Sequence, residues 1–467
     1  MPDHDTARTV TGAEAMPKVA IIGAGSFVFA RRLVTDILTW PALEDSIISL
    51  MDIDAHKLET MTALARRMVA QARVGARVEA STDLRRALDG ADYVAVAIRV
   101  SNSHNHVTIP LKYGINQAIG DTTGPGGVFY FLANAPAVVE IARTMEEVCP
   151  GALLLNYTNP MVMISWAVHK LSRVRYVGLC HSVQGTARDL ARYIGVPFDE
   201  VSYWVAGINH MAWFLEYRWR GRDAYPMIWK AMEDPEIYEQ DIVKWEILKH
   251  FGAFVTESSI HNSEYMPYFR RTPELVDRYT SEKMWGVGPK GMTMDERMAH
   301  FERLRREQEA ENLRLAYGTD EIPIERSHEY FSRILNAIET NVPYVFNGNV
   351  PNTGLIPNLP PGCIVEVPIM VDGCGLHPCY VGDLPPALAG LNRSSLNVQE
   401  LAVKGFVEGN REYIYQAVQM DPLTASKLAL PEIRRMVDEM FEADKEYITL
   451  PPVAFPLSLP RRRAVDA

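Results

Sequence analysis

The sequence predicts an α/β protein: a Rossmann-like, doubly wound sheet followed by an α+β half. Three observations carry this. A strand-like apolar run ends in the turn Gly23-Ala24-Gly25-Ser26 and gives way to helical spacing. Short apolar runs then alternate with helix-length amphipathic stretches as far as about residue 200. Beyond that point the alternation stops, and strand-like segments lie close together among longer helices.

Residues 18–22 form an apolar run closed by glycine, as a buried parallel strand does. Residues 27–39 follow with helical spacing, and residues 47–51 form a second buried strand closed by Asp52. In residues 55–72, Leu58, Met61, Leu64 and Met68 recur every three or four positions, marking an amphipathic helix. Residues 77–80 and 93–98 are strand-like, 128–148 reads as a helix bent at Pro136, and 153–155 and 174–179 are further strands. Strands and helices alternating at these lengths imply a right-handed, mostly parallel sheet. Residues 201–205 and 213–219 then suggest an antiparallel pair, and 226–250 and 294–315 read as long helices. The stretch 345–383 is rich in Gly, Pro and Asn around a strand-like 364–370, and 397–446 is helical again. The expected organisation is a flexible N-terminal extension (1–17), a Rossmann-like domain (18–200), an α+β substrate-binding and oligomerisation domain (201–450) and a tail (451–467).

Composition excludes several classes of function. Hydrophobic residues are 47% and charged residues 22%, as in ordinary globular proteins. A net charge of -11 argues against nucleic acid or an anionic membrane as partner. No apolar run approaches the ~20 residues of a membrane span. Residues 1–17 lack the apolar centre of a secretory signal, and Met16 offers an alternative start. Five cysteines, an odd and sparse set, do not form a disulfide framework and point to a reducing, cytoplasmic setting. Cys374 and Cys379 flank His377, but no second pair at structural-zinc spacing accompanies them, so they read as turn residues.

The glycine turn has the chemistry of a phosphate site. Gly23 permits the tight bend, Gly25 lets backbone approach a pyrophosphate, and Ser26 leads into a helix N-terminus that favours anions. Val28 stands where a third glycine belongs. Asp52 restores the argument. It ends the second strand 27 residues after Gly25, where a carboxylate binds both ribose hydroxyls and repels a 2′-phosphate, favouring NAD over NADP. A cofactor-free α/β turn would carry the same glycines.

Cys180 follows the 174–179 strand at the carboxyl edge of the sheet, where ligands collect, and His210 follows another strand-like run. Together they are candidate ligands of a divalent metal, with positions left open for a substrate to chelate. His181 reads as a pocket or packing residue rather than a third ligand. Asp121, in the glycine-rich loop 120–127, is either a catalytic acid or a helix cap. The amides of Asn156-Tyr157-Thr158-Asn159-Pro160 either hold ligand hydroxyls or cap the next helix. Tyr265 and Tyr268 lie in an aromatic loop, where most tyrosines only pack.

These motifs occur together, in register, from about residue 18 to about residue 450: Gly23-Ala-Gly-Ser, Asp121 ahead of Gly124-Pro-Gly-Gly, Asn156-Tyr-Thr-Asn-Pro, Cys180-His-Ser-Val and Gly207-Ile-Asn-His. Glu257-Ser-Ser, Tyr265-Met-Pro-Tyr, Asn347-Gly-Asn and Asn358-Leu-Pro-x-Gly-Cys-x-Val-Glu follow them. The chain thereby resembles family 4 of the glycoside hydrolases and, through Cys180-His-Ser-Val, its α-galactosidase branch. Phospho-sugar branches carry other residues after the cysteine.

The resemblance implies a lactate/malate dehydrogenase-like architecture, NAD+ and a divalent metal, typically Mn2+, with no net redox change. It implies a small-molecule glycoside as partner and a homodimer or homotetramer. By the same resemblance Cys180 and His210 hold the metal. Asn159 then meets the substrate, with His181 as a further pocket candidate, and Gly23, Gly25, Ser26, Asp52 and Asn156 are the candidate cofactor residues. Asp121 is the acid and Tyr265 the base. The implied chemistry is oxidation at sugar C3, removal of the now acidic C2 proton, elimination of the C1 substituent, addition of water and re-reduction. This family is one of the exceptions to the two-carboxylate glycosidase mechanism.

Other classes stay open at this point. An NAD-dependent 2-hydroxy-acid-type dehydrogenase shares the nucleotide fold and an Asn-Pro turn, but it releases NADH and has no need of Cys180. A noncatalytic NAD-sensing protein has no need of a metal pair. Within the family, α-glucosides and α-linked uronic acids (galacturonides or glucuronides) are the near alternatives. Arg99, ahead of residues 100–104, suits a substrate carboxylate by a bidentate pair, or merely ends a strand.

Overall fold

The computed structural model describes residues 16–26, 29–101, 103–284 and 294–450. Val28, most of the expected N-terminal extension and the C-terminal tail lie outside the described residues.

Six strands open the chain: β1 (Lys18–Ile22), β2 (Ile47–Met51), β3 (Arg77–Ser81), β4 (Tyr93–Val96), β5 (Leu153–Asn156) and β6 (Arg175–Gly178). They pair in parallel in the order β3-β2-β1-β4-β5-β6, the strand order of a doubly wound nucleotide fold. The central strands are apolar almost throughout because both faces are covered; β4 and β5 are buried at every position. The linking helices follow their apolar spacing. In Ala55–Ala72 the buried side chains include Leu58, Met61, Leu64 and Met68, and Asp54 caps the first turn by accepting from His56 and Lys57 N–H.

The second half supplies β7 (Val201–Ile208), β8 (Met211–Trp219), β9 (Arg222–Asp223), β10 (Tyr344–Pro351), β11 (Ile364–Asp372) and β12 (Gly375–Pro378). These do not form a separate sheet. The β10–β11 pair enters between β6 and β7, so one mixed sheet continues as β6-β10-β11-β7-β8-β9, with β12 on β11. One large core accordingly joins Val19, Leu33 and Val94 to Ile369, Leu396 and Met440. A smaller cluster around Phe214, Tyr217, Trp245 and Phe254 packs on β7 and β8.

Three helical expectations are corrected. Residues 226–250 break into Tyr225–Ala231, Pro235–Tyr238 and Ile242–Phe251, because Pro235 ends one pattern and Asp234 caps the next by accepting from Glu236 N–H. Residues 397–446 divide likewise: Pro386–Glu408 stops at Gly409 (φ +65°), and separate helices follow, the last being Leu430–Ala443. The third helix starts earlier than expected and runs unbroken over Gly124–Val148, with Pro136 inside it. Among the described residues, no helix is long and apolar enough to cross a membrane.

Candidate active site

The glycine turn closes as its residues dictate. Gly23 has φ +88°, and a Cβ there would lie 2.3 Å from the Ala97 carbonyl oxygen, so only glycine fits. Gly25 N–H donates to Asp52 Oδ2 at 2.7 Å, and a Cβ on Gly25 would meet that same oxygen. Asp52 Oδ1 accepts from Asp54 N–H at 2.9 Å. Ser26 N–H donates to the Gly23 carbonyl, and Ser26 passes its own carbonyl to Ala30 N–H. Asp52 thus holds the turn as well as facing the cleft, and each of its oxygens keeps a lone pair for a further donor. The cleft, about 860 Å³, runs from Gly23, Gly25 and Asp52 to Asp121 and Asn159.

Because Asp52 serves both turn and cleft, Asp52→Ala is expected to weaken NAD binding by about 10- to 150-fold, the equivalent of about 1.5–3 kcal/mol for charge-assisted hydrogen bonds. Calorimetric titration of NAD+ into the purified variant checks this; an unchanged dissociation constant removes Asp52 from the cofactor site.

At the far end of the cleft, Asp121 Oδ1 accepts from the Thr122 hydroxyl at 2.7 Å, and Asn159 Nδ2 lies 3.5 Å from Asp121 Oδ2. Neither residue is a helix cap: Thr123 precedes Gly124–Val148 and Pro160 precedes Met161–Leu171, both without a side-chain cap bond. Asn156 is placed differently from its neighbour. It is fully buried, and its amide both donates to the Thr158 carbonyl (3.0 Å) and accepts from Thr158 N–H (3.1 Å). It shapes the turn that presents Asn159, and its side chain is not on the cleft wall.

Cys180 follows β6, and His210 lies in the two-residue connection between β7 and β8. Cys180 Sγ and His210 Nε2 are 3.4 Å apart. Glu257 completes the cluster, with Oε2 3.6 Å from His210 Nε2, and one ligand atom from each of the three lies within 4.8 Å of the others. His210 (φ +63°) and Glu257 (φ +79°) both hold left-handed backbone, a costly conformation for non-glycine residues that concentrates at functional sites. Asn262 ties the two bends together by donating to the His210 and Thr256 carbonyls. His261 Nε2 sits 3.1 Å from His210 Nδ1, fixing that ring from behind. His181 is exposed, 3.9 Å from Glu329, and is not among the residues lining the cleft.

Carboxyls and imidazoles crowd the cluster and shift one another. Burial, reinforced by the Glu366 and Glu257 carboxyls, pushes the Cys180 thiol up to about 12. Burial also works to raise the Glu257 carboxyl, but the His210 and His261 rings outweigh it and hold it down to about 2. Glu366, fully buried on β11, has no hydrogen-bond partner of ordinary geometry for either oxygen; burial pushes it up to about 7 against the pull of His210. Both polar atoms of the buried Asn209 side chain are likewise unpartnered. A thiolate is favoured here only beside a cation, and a thiolate–imidazole–carboxylate set suits a divalent first-row metal.

Tyr265 is buried at the end of Ser259–Tyr265, its hydroxyl 3.5 Å from the Asn209 carbonyl. Burial, with Asp121 and Glu257 next, drives its phenol well above the ordinary range.

A doubly wound α/β chain with a thiol, imidazole and carboxylate cluster at the carboxyl edge of its sheet is thereby defined. Residues 18–196 match the family described as family 4 glycosyl hydrolase, and residues 205–424 match its C-terminal domain. The chain is 38% identical over 440 residues to an alpha-galactosidase of Bacillus subtilis, covering 93% of this chain and 99% of that protein. It is 37% identical to an alpha-galactosidase of Rhizobium meliloti, covering 96% and 92%. A solved 6-phospho-beta glucosidase of Thermotoga maritima, crystallised with manganese, NAD+ and glucose-6-phosphate, shares the fold: TM-score 0.76, 22% identity, 93% of this chain and 100% of that one. The chain belongs to family 4 of the glycosyl hydrolases.

Proposed function

We propose that the protein hydrolyses α-galactosides by oxidation at C3, elimination across C1–C2, addition of water and re-reduction, with NAD+ and a divalent metal, most suitably Mn2+, as cofactors. The observation that carries it is the Cys180–His210–Glu257 cluster, with Tyr265 buried close enough to feel its charge and Asp121 at the end of the cleft that begins at Gly23, Gly25 and Asp52. The two alpha-galactosidase relatives support the sugar assignment.

The residues fit both groups. The Cys180, His210 and Glu257 ligand atoms converge as a divalent cation requires, and the space beside Gly25 is closed to any Cβ. When bound, the two groups supply reversible hydride acceptance at C3 and polarisation of the C2 and C3 oxygens. The chain's own residues do the rest. Cys180, His210 and Glu257 hold the cation. Asp52 takes the ribose hydroxyls and repels a 2′-phosphate. Asn159 and His181 contact sugar hydroxyls. Tyr265 removes the C2 proton, and Asp121 delivers a proton to the departing glycosidic oxygen.

A ligand thiol requires reducing conditions, in keeping with a cytoplasmic setting, and a homodimer or homotetramer is the expected assembly. Arg99 on the cleft wall favours a second substrate class, α-linked uronic acids, whose carboxylate it can pair. A panel of nitrophenyl glycosides separates the two.

Activity on 4-nitrophenyl α-galactoside is expected to vanish after chelation and removal of NAD, and to return with Mn2+, NAD+ and a thiol reductant together. Mn2+ binds weakly beside later first-row metals, so exchange is easy. Full activity after both removals would overturn the proposal.

A further inference from the structure

We infer that Glu264 is a positioning residue that locks the loop carrying the acid to the helix carrying the base; this rests on the reading of Asp121 and Tyr265 given above. Glu264 is 1% exposed and is not on the cleft wall. Its Oε1 accepts from Ala118 N–H and Ile119 N–H, both at 2.5 Å, and its Oε2 accepts from Gly120 N–H at 3.1 Å. Three successive backbone N–H groups converging on one carboxylate form an anion nest, held by charge-assisted bonds.

The chain neighbours make this consequential. Glu264 precedes Tyr265, and Gly120 precedes Asp121. Gly120 takes φ +65°, and a Cβ there would come within 2.8 Å of Val107 Cγ2, so the bend that releases Asp121 into the cleft is tightly fitted. Arg270 makes a second tie: Nε donates to the Asn116 carbonyl at 2.6 Å, Nη2 to Asn116 Oδ1 at 3.1 Å, and Nη1 to Ser263 Oγ at 3.2 Å. Acid and base come from segments some 145 residues apart, yet this one carboxylate bridges their backbones. Sub-ångström to ångström errors in such placement cost large factors in rate.

Glu264→Gln keeps the shape but offers one acceptor oxygen and one N–H2 group where three donors point, so the loop must shift. Displacing the acid harms only leaving groups that need a proton. The nitrophenolate of 4-nitrophenyl α-galactoside departs unprotonated, whereas the sugar alkoxide of the disaccharide melibiose does not.

Relative to wild type, kcat/KM of the variant on melibiose is expected to fall at least about tenfold further than on the nitrophenyl substrate. Deuterium uptake at C2 per turnover should be unchanged. The ratio of the two substrates is independent of how much variant folds, and Arg270→Lys should move it in the same direction by a smaller factor. Equal losses on both substrates, or no change on either, would overturn the inference. A wild-type enzyme that cleaves neither substrate with NAD+ and Mn2+ would instead sink the parent reading, and the role of Glu264 with it.

Discussion

Tyr265→Phe is expected to lower turnover by about 10²- to 10⁴-fold, the range a general base contributes, with NAD binding and folding preserved. Tyr265 is 4% exposed and its hydroxyl lies 3.5 Å from the Asn209 carbonyl, so deleting one oxygen sacrifices little packing or hydrogen bonding. The chain alone makes this group a poor base, since burial and the Asp121, Glu257 and Cys180 charges all raise it. Two of those groups, Glu257 and Cys180, are also candidate metal ligands. A dication held there would offset the Cys180 and Glu257 charges, so the proposed base is expected to be competent only in the loaded enzyme. Product formed in D2O should carry deuterium at C2; unlabelled C2 would end the elimination scheme. Labelled C2 with near-normal rates in the phenylalanine variant would keep the scheme and reassign the base. Tyr268 is poorly placed to inherit the role, being 53% exposed.

Cys180→Ser should have an effect of similar size, read first as metal affinity. Altering groups that merely support a ligand costs about 10- to 100-fold in affinity, and removing the thiolate itself should cost more. A hydroxyl in this negative, buried pocket does not ionise as a thiol does. Mn2+ titration followed by electron paramagnetic resonance is expected to show binding weakened by more than about 100-fold, with catalysis falling in parallel even at high Mn2+. Glu257→Gln should weaken binding less, since Cys180 and His210 remain. Unchanged Mn2+ affinity in the serine variant would place the metal elsewhere.

Much of this site is legible in the chain because its parts sit at element ends, most of them marked by glycine: Gly23 and Gly25 after β1, Cys180 after β6 and His210 after Gly207, with Asp52 closing β2 without one. Ends of strands are readable from local pattern, and so was the doubly wound half. Glu257, His261 and Glu264 carry no such mark, because their significance lies in distant partners. Nothing local to Glu257 announces a left-handed turn beside His210, and Glu264 looks like any helical glutamate until three backbone donors from residues 118–120 meet it. Glu366 does carry a signal, a lone carboxyl inside the apolar run 364–371, since such a run buries whatever it contains. The joining of both halves into one sheet had no local signature. Antiparallel insertion of β10 and β11 depends on pairing across more than a hundred intervening residues.

That insertion also separates the two cofactor sites in the life of a newly made chain. The turn around Gly23, Gly25 and Asp52 needs only strands near the amino terminus, and it can be complete early in synthesis. Cys180 and His210 flank a gap in the sheet that stays empty until β10 and β11 emerge; Asn349, whose amide donates to the Gly178 carbonyl just before Cys180, lies 171 residues downstream of Gly178. Domains fold as the chain leaves the ribosome, amino-terminal parts first. For much of translation, therefore, the sheet beside Cys180 is incomplete. The glycine turn can thus close before the sheet beside the Cys180–His210 pair is complete.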